Sequence, residues 1–275
     1  MTADIVLAAP LAHLRWGRGD TAVVMLHGVG GGREAWDDAI SGTGRAVGQA
    51  GFVAIAPDLP GYGDSPTIEP YDMAGLAAAV IALIEHLRDH QRIPRCILVG
   101  HSMGGMVAQE VLARSPAGVH GLVVSASSPA FGKRDGQWQQ QFLAERLAPL
   151  DAGKGMAALA PGLAFGMASP NAPHDAVARA SVLMASVPEA TYRRALQAIM
   201  GFDRRESLRE IRVPVLCLAG EHDRNAPPVV IEQMARAIPA AEYERLAGVG
   251  HLANMEAPAL FNRALVSFLR RRFQP

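Results

Sequence analysis

The chain predicts an α/β protein, a doubly wound and mostly parallel sheet of eight strands with a helical segment inserted into it. Three observations lead there. Short apolar runs alternate with longer stretches of helical period along most of the 275 residues, which is the pattern of repeated βαβ units. Several runs end in glycine-containing turns, at Gly28 to Gly32, Gly100 to Gly105 and Gly220 to Asp223. Finally, from about Pro129 to Arg205 no strand-like run occurs, only helical patterns broken by Gly, Pro and Ser.

In chain order, strands are expected near 4–7, 11–16, 22–26, 52–56, 95–99, 120–125, 213–219 and 241–246. The first two, joined by a short Ala-Ala-Pro turn, read as an antiparallel hairpin at the sheet edge. Helices are expected at about 34–50, 72–90, 103–115, 227–238 and 257–272. Within the strand-free stretch, Trp138 to Leu147, Asp175 to Ala185 and Glu189 to Ile199 carry helical patterns. Residues 1–128 and 206–275 then form one core, and residues 129–205 an insertion. No internal repeat or low-complexity segment appears.

Composition narrows the function. Lysine plus arginine number 26 and aspartate plus glutamate 26, so no strong field draws the chain to nucleic acid or anionic lipid. The Arg270-Arg271-Arg272 run ends an expected helix, where cations suit the dipole. Cys96 and Cys217 fall inside expected buried strands, so free thiols are expected rather than a disulfide or zinc framework. Met1 to Val6 lacks the basic start of a signal peptide, and no run of 18 apolar residues occurs. A cytoplasmic protein is the expectation.

The motif that carries chemistry is Gly100-His101-Ser102-Met103-Gly104. It lies between the apolar run Cys96 to Val99 and the helical pattern beginning at Met106. A strand that ends, a turn too tight for side chains and an immediate helix lift a serine oxygen above the sheet edge. The Met103 N–H then sits at a helix N-terminus, where it can stabilise an anion. An incidental serine in a strand–turn–helix is the plain alternative, so partners are needed. Asp223 follows the apolar run 213–219, and His251 follows the strand ending at Leu246. One helix and one strand separate them, which brings both loops to the same carboxyl edge as Ser102. A serine nucleophile, an imidazole base and an orienting carboxylate are the groups that acyl transfer requires.

The stretches HGVGGG (27–32), PDLPGYGDSP (57–66), GHSMGGMVAQ (100–109), GEHDRNAPP (220–228) and GVGHLANMEAP (248–258) make the chain resemble the α/β-hydrolase family over nearly its whole length. The order Ser…Asp…His is also the one that this fold uses. The resemblance implies the α/β-hydrolase fold, with residues 129–205 as its helical cap, or lid. It implies a second oxyanion donor in the loop after His27-Gly28, the backbone N–H of Val29 or Gly30, beside that of Met103. Serine at the elbow departs from the dehalogenase and epoxide hydrolase branches, which need a carboxylate there. It points to a small ester or lactone cleaved through an acyl-enzyme, with no cofactor and no metal. The enol-lactonase, ring-fission and carboxylesterase branches are the most similar. Carbon–carbon bond hydrolysis, cofactor-free haloperoxidase or perhydrolase chemistry, cofactor-free dioxygenation and a ligand receptor are the alternatives. The Gly30-Gly31-Gly32 loop lacks the proline common in carbon–carbon hydrolases.

Neighbouring residues carry plainer expectations. His101 should be structural, with its side chain pointing away from Ser102, and His27 should orient the oxyanion loop. Glu221 and His222 flank Asp223 as alternatives to it, Asp58 should brace a loop, and a metal site drawn from His222, Asp223 and His251 explains less than the triad. Gly28-Val29-Gly30 begins a dinucleotide fingerprint, but Arg33 stands where its third glycine belongs. Trp138, Phe142 and Leu252 are expected in the substrate pocket. Met156, Met167, Met184, Met200, Phe131 and Phe165 could share its wall, or simply pack the cap. An acidic substrate would need a cap arginine, from among Arg134, Arg146, Arg179, Arg193 and Arg194; a solvated surface role is the ordinary reading of each. Oligomeric state is not legible.

Overall fold

The computed structural model describes residues 2–7, 10–114, 118–132 and 136–274. All eight expected strands form: β1 (Asp4–Val6), β2 (His13–Trp16), β3 (Thr21–Leu26), β4 (Val53–Pro57), β5 (Arg95–His101), β6 (Val119–Ser125), β7 (Val215–Gly220) and β8 (Glu242–Leu246). They make one sheet in the order β1-β2-β4-β3-β5-β6-β7-β8. β1 pairs antiparallel with β2, and β2 with β4; every other pairing is parallel.

The central strands read as continuous apolar runs because both of their faces are covered. Val24, Leu26 and Leu98 pack with Leu76 and Val80 of α2 (Met73–Gln91), Val107 and Val111 of α3 (Met103–Ala113) and Ile231 of the helix Pro228–Ala237. Their alternates Val23, Met25, Ile97 and Val99 pack with Val47 of α1 (Thr43–Gln49) and with Phe261, Leu265 and Phe268 of the helix Pro258–Phe273. A period of two sends successive residues to opposite faces, so one strand feeds two cores.

One expected helix is shorter than its pattern. In place of 34–50, a 3₁₀ turn covers Arg33–Trp36 and α1 begins only at Thr43. Gly42 in the left-handed region, at φ 61°, breaks the run. α2 follows its pattern closely, with the Asp72 carboxylate accepting from the Gly75 N–H at 2.7 Å as its N-cap. Position 115 of the expected third helix lies outside the described residues.

Between β6 and β7 come α4 (Gln137–Asp151), α5 (Gly155–Met167), α6 (His174–Ala185) and α7 (Glu189–Ile199). Three match the expected patterns. α5 does not correspond to any, because Pro161-Gly162 at its middle reads as a breaker. After β7 the chain continues through α8 (Pro228–Ala237), β8, the short α9 (Ala253–Glu256) and α10 (Pro258–Phe273). Among the described residues no helix is long and apolar enough to cross a membrane.

Candidate functional site

β3 and β5 lie side by side, yet the chain leaves β3 toward β4 on the opposite flank. That reversal opens a crevice at the strands' carboxyl ends, where open α/β sheets bind ligands. The loops after β3, β5, β7 and β8 all reach this edge.

Ser102 occupies the turn between β5 and α3 at φ 52°, ψ −120°, a conformation that L residues rarely hold. Such strain costs about 1–3 kcal/mol and persists only where its surroundings impose it. Here the Ser102 N–H donates to Ser125 O of β6 at 3.0 Å, and its carbonyl accepts from the Gly105 and Met106 N–H groups. The turn also requires glycine around it. A Cβ at Gly104 would run into the Leu26 carbonyl oxygen and stand 2.7 Å from that of His27.

Three residues distant in sequence meet at this serine. His251 Nε2 lies 3.0 Å from Ser102 Oγ, and Nδ1 lies 2.8 Å from Asp223 Oδ2. With Nδ1–H donating to the carboxylate, Nε2 is left to accept the serine proton. Burial works to raise the Asp223 carboxyl. The His251 ring and the Ala226 and Asn225 N–H groups outweigh it and hold the group below the ordinary carboxylate value. Asp223 Oδ1 accepts from Asn225 N–H at 2.8 Å and Ala226 N–H at 3.0 Å.

The loop after β3 passes beside the serine. A Cβ on Gly28 would sit 3.1 Å from Ser102 Cβ, and the Val29 N–H is next along the chain. Among the described residues the N–H groups of Val29, Gly30 and Met103 have no acceptor. His27 holds this loop as expected: its Nδ1–H donates to Gly28 O at 2.9 Å, and its Nε2 accepts from Leu59 N–H at 3.0 Å. Complete burial drops its pKa to about 4, so the ring is a neutral strut. Tyr62 stands edge-on to it and donates its hydroxyl to Val29 O at 2.9 Å.

Asp58 braces the neighbouring loop, accepting from the N–H groups of Arg33 and Asp64 and pairing with the Arg33 guanidinium at 3.2 Å. Glu221 turns away to Gly248 N–H and Arg245, and His222 is exposed. Among the described residues no group of three or more His, Cys, Asp or Glu side chains could hold a metal ion.

His101 corrects its expectation. Its ring does not leave the site but packs 5.1 Å from the His251 ring and lines the same cavity. Burial, then the nearby His251, lowers its pKa to about 3. Above the serine lies a cavity of about 190 Å³, walled partly by the strand-end loops and partly by α4 to α7. Trp138, Phe142 and Leu252 line it, with Phe131, Met167 and Met184. Met156 is instead buried in the core, Met200 is not in the wall, and Phe165 is 77% exposed. Met103, Met106 and Met255 take their places.

Glu256 is the residue that sequence reasoning passed over. It is 7% exposed, and its carboxylate accepts three backbone N–H groups: Gly250 at 3.0 Å, Leu252 at 3.0 Å and Ser169 at 2.9 Å. The first two flank His251, whose own N–H donates to Met167 O at 2.9 Å. The signal was an acid five residues after the histidine, immediately before the Ala-Pro that opens α10.

Comparison with known proteins agrees with this architecture. A model of the alpha/beta hydrolase family matches residues 23–264. The chain is 31% identical over 276 residues to the dihydrolipoyllysine-residue acetyltransferase component of the acetoin cleaving system of Pseudomonas putida, covering 94% of this chain and 67% of that protein. Its fold is similar to that of a thermophilic esterase from Thermogutta terrifontis, with TM-score 0.82, 24% identity and coverage of 98% and 99% of the two chains. The enol-lactonase from Burkholderia xenovorans gives TM-score 0.79, 22% identity and coverage of 97% and 99%. The fold is that of a hydrolase, an enzyme class. The chain belongs to the alpha/beta hydrolase family.

Proposed function

We propose that this enzyme is a serine hydrolase that cleaves a small ester or lactone through an acyl-enzyme. The observation carrying the proposal is the unbroken chain from Ser102 Oγ through His251 to Asp223, at 3.0 and 2.8 Å, on the floor of a largely apolar cavity. His251 takes the Ser102 proton as Oγ attacks the carbonyl, and Asp223 stabilises the imidazolium that results. The N–H groups of Met103 and Val29, or Gly30 in its place, receive the developing oxyanion, each donor lowering the barrier by about 3 kcal/mol. Collapse of the tetrahedral intermediate expels the alcohol, which takes its proton from His251. Water activated by the same imidazole then releases the acid and restores Ser102.

Residues 129–205 act as the cap, with Trp138, Phe142 and Leu252 among the pocket side chains. The cap excludes bulk water and shapes the site. A cavity of about 190 Å³ suits a small molecule, since drug-sized sites run to about 300–1,000 Å³. The test is turnover of p-nitrophenyl acetate and covalent labelling by a fluorophosphonate. Both should vanish in Ser102→Ala, with the circular dichroism spectrum and melting temperature retained. Ester turnover that survives in that variant defeats the proposal.

A further inference from the structure

The cavity above Ser102 carries formal charge of one sign. Arg146 and Arg224 line it, and no aspartate or glutamate does, although the chain holds 26 acidic residues. Two of the three histidines in the wall, His27 and His101, are kept neutral by burial. The two guanidiniums are therefore the formal charges in the wall that an entering molecule meets, with the Asp223 carboxylate set behind His251.

The arginines of the inserted helices separate cleanly. Arg179 pairs with Asp175 at 2.6 Å, Arg193 with Asp151 at 2.6 Å and Glu189 at 2.9 Å, and Arg194 with Glu69. Arg134 lies outside the described residues. Arg146, on α4, has no carboxylate partner among the described residues, and it alone of these arginines lines the cavity. Its guanidinium lies over the Phe142 ring, 5.2 Å from the centroid, a contact that orients the cation. Tyr192 stands beside it in the same wall and shares a side-chain hydrogen bond with it; burial raises that phenol, and the Arg146 charge and hydrogen bond oppose the rise. A guanidinium held by Phe142 and Tyr192, with no carboxylate partner among the described residues, keeps N–H donors to offer a planar anion in a largely apolar wall.

We infer that the substrate carries a carboxylate away from the bond that is cleaved, and that Arg146 receives it inside the cavity, with the exposed Arg224 adding attraction at the same site. This rests on the hydrolase reading above and specifies its substrate class. Arg146 is a specificity residue, not part of the bond-breaking machinery.

The experiment compares matched ester pairs that differ only in charge. Mono-p-nitrophenyl glutarate against its methyl ester places the carboxylate on the acyl side. 4-Acetoxybenzoate against methyl 4-acetoxybenzoate places it on the alcohol side. In the wild type one charged member should be preferred in kcat/KM, chiefly through KM, and the preference should shrink with added salt. In Arg146→Gln the charged-to-neutral ratio should fall about 10- to 100-fold, the range expected for losing a charge-assisted contact. Arg146→Lys should restore part of it, and Arg179→Gln, which removes an arginine already paired with Asp175, should leave it unaltered.

Calorimetric titration of the wild-type protein with glutarate and with 1,5-pentanediol reads the anion site without turnover. Glutarate binding that disappears in Arg146→Gln, with no ester hydrolysed, would sink the hydrolase reading and keep the anion site. Hydrolysis with equal rates within both pairs, and no preference for glutarate over the diol, would overturn the anion site and keep the hydrolase.

Discussion

Replacing Glu256 by glutamine keeps the side-chain volume and removes one negative charge from beneath the His251 loop. The carboxylate accepts Gly250 and Ser169 N–H at one oxygen and Leu252 N–H at the other. Glutamine has one acceptor oxygen. In its better orientation it keeps the two bonds at Oε2 and turns an NH₂ against the Leu252 N–H. The loss is then one charge-assisted bond plus a buried donor without a partner, about 1–3 kcal/mol. The two surviving bonds weaken from charged to neutral, by about 1 kcal/mol each. Relief from burying a carboxylate offsets part of this, leaving a net destabilisation of about 2–4 kcal/mol. For a chain of 275 residues the melting temperature should fall by about 4–7 °C. Function should suffer separately, because Gly250 and Leu252 flank the imidazole that must meet Ser102 Oγ. A displacement on the order of 1 Å costs up to about 100-fold in rate. We expect kcat on p-nitrophenyl acetate to fall about 10- to 100-fold at a temperature where the variant is fully folded, with KM little changed. Thermal unfolding and steady-state kinetics on the same preparation measure both effects. A variant with a wild-type melting temperature and wild-type kcat refutes the positioning role assigned to Glu256.

Two further outcomes follow from burial at the same edge. His27 and His101 have folded values of about 4 and about 3, below the ordinary 6.5. The unfolded chain therefore binds more protons than the folded one below pH 6.5, and stability falls with acidification down to those folded values. Each histidine contributes a slope of about 1.4 kcal/mol per pH unit; His101→Gln should remove one such contribution, and a melting temperature constant from pH 7 to 4.5 would contradict the assignment. Gly104→Ala drives a methyl into the Leu26 and His27 carbonyls, which are backbone and cannot swing aside. It should cost about 3 kcal/mol or more and abolish fluorophosphonate labelling; an active variant with wild-type urea midpoint would show that the turn is looser than its contacts imply.

The parts of this protein legible from sequence are those written in local grammar. Eight strands could be read because apolar runs between breakers have few other uses, and the meeting of Ser102, Asp223 and His251 because each lies in a turn or loop that follows a strand at one sheet edge. What escaped lies across elements. The Asp37–Gly42 turn before α1 interrupts a stretch of helical period at Gly42, where a left-handed residue ended a pattern that periodicity alone would continue. His101, expected to be structural and to point away from Ser102, is a second case. The chain leaves the strand register immediately after it, at the strained Ser102, and its ring comes to rest against His251. The arginines make the same point more sharply. Arg179 and Arg193 each have an acid four residues earlier, Asp175 and Glu189, and that spacing alone foretells the pairs. Arg146 has Phe142 there and Arg194 has Ala190; Arg194 finds Glu69 from another part of the chain, and Arg146 finds no carboxylate among the described residues. The identity of the cavity it lines depends on how α4 crosses the sheet edge, which no helical period encodes.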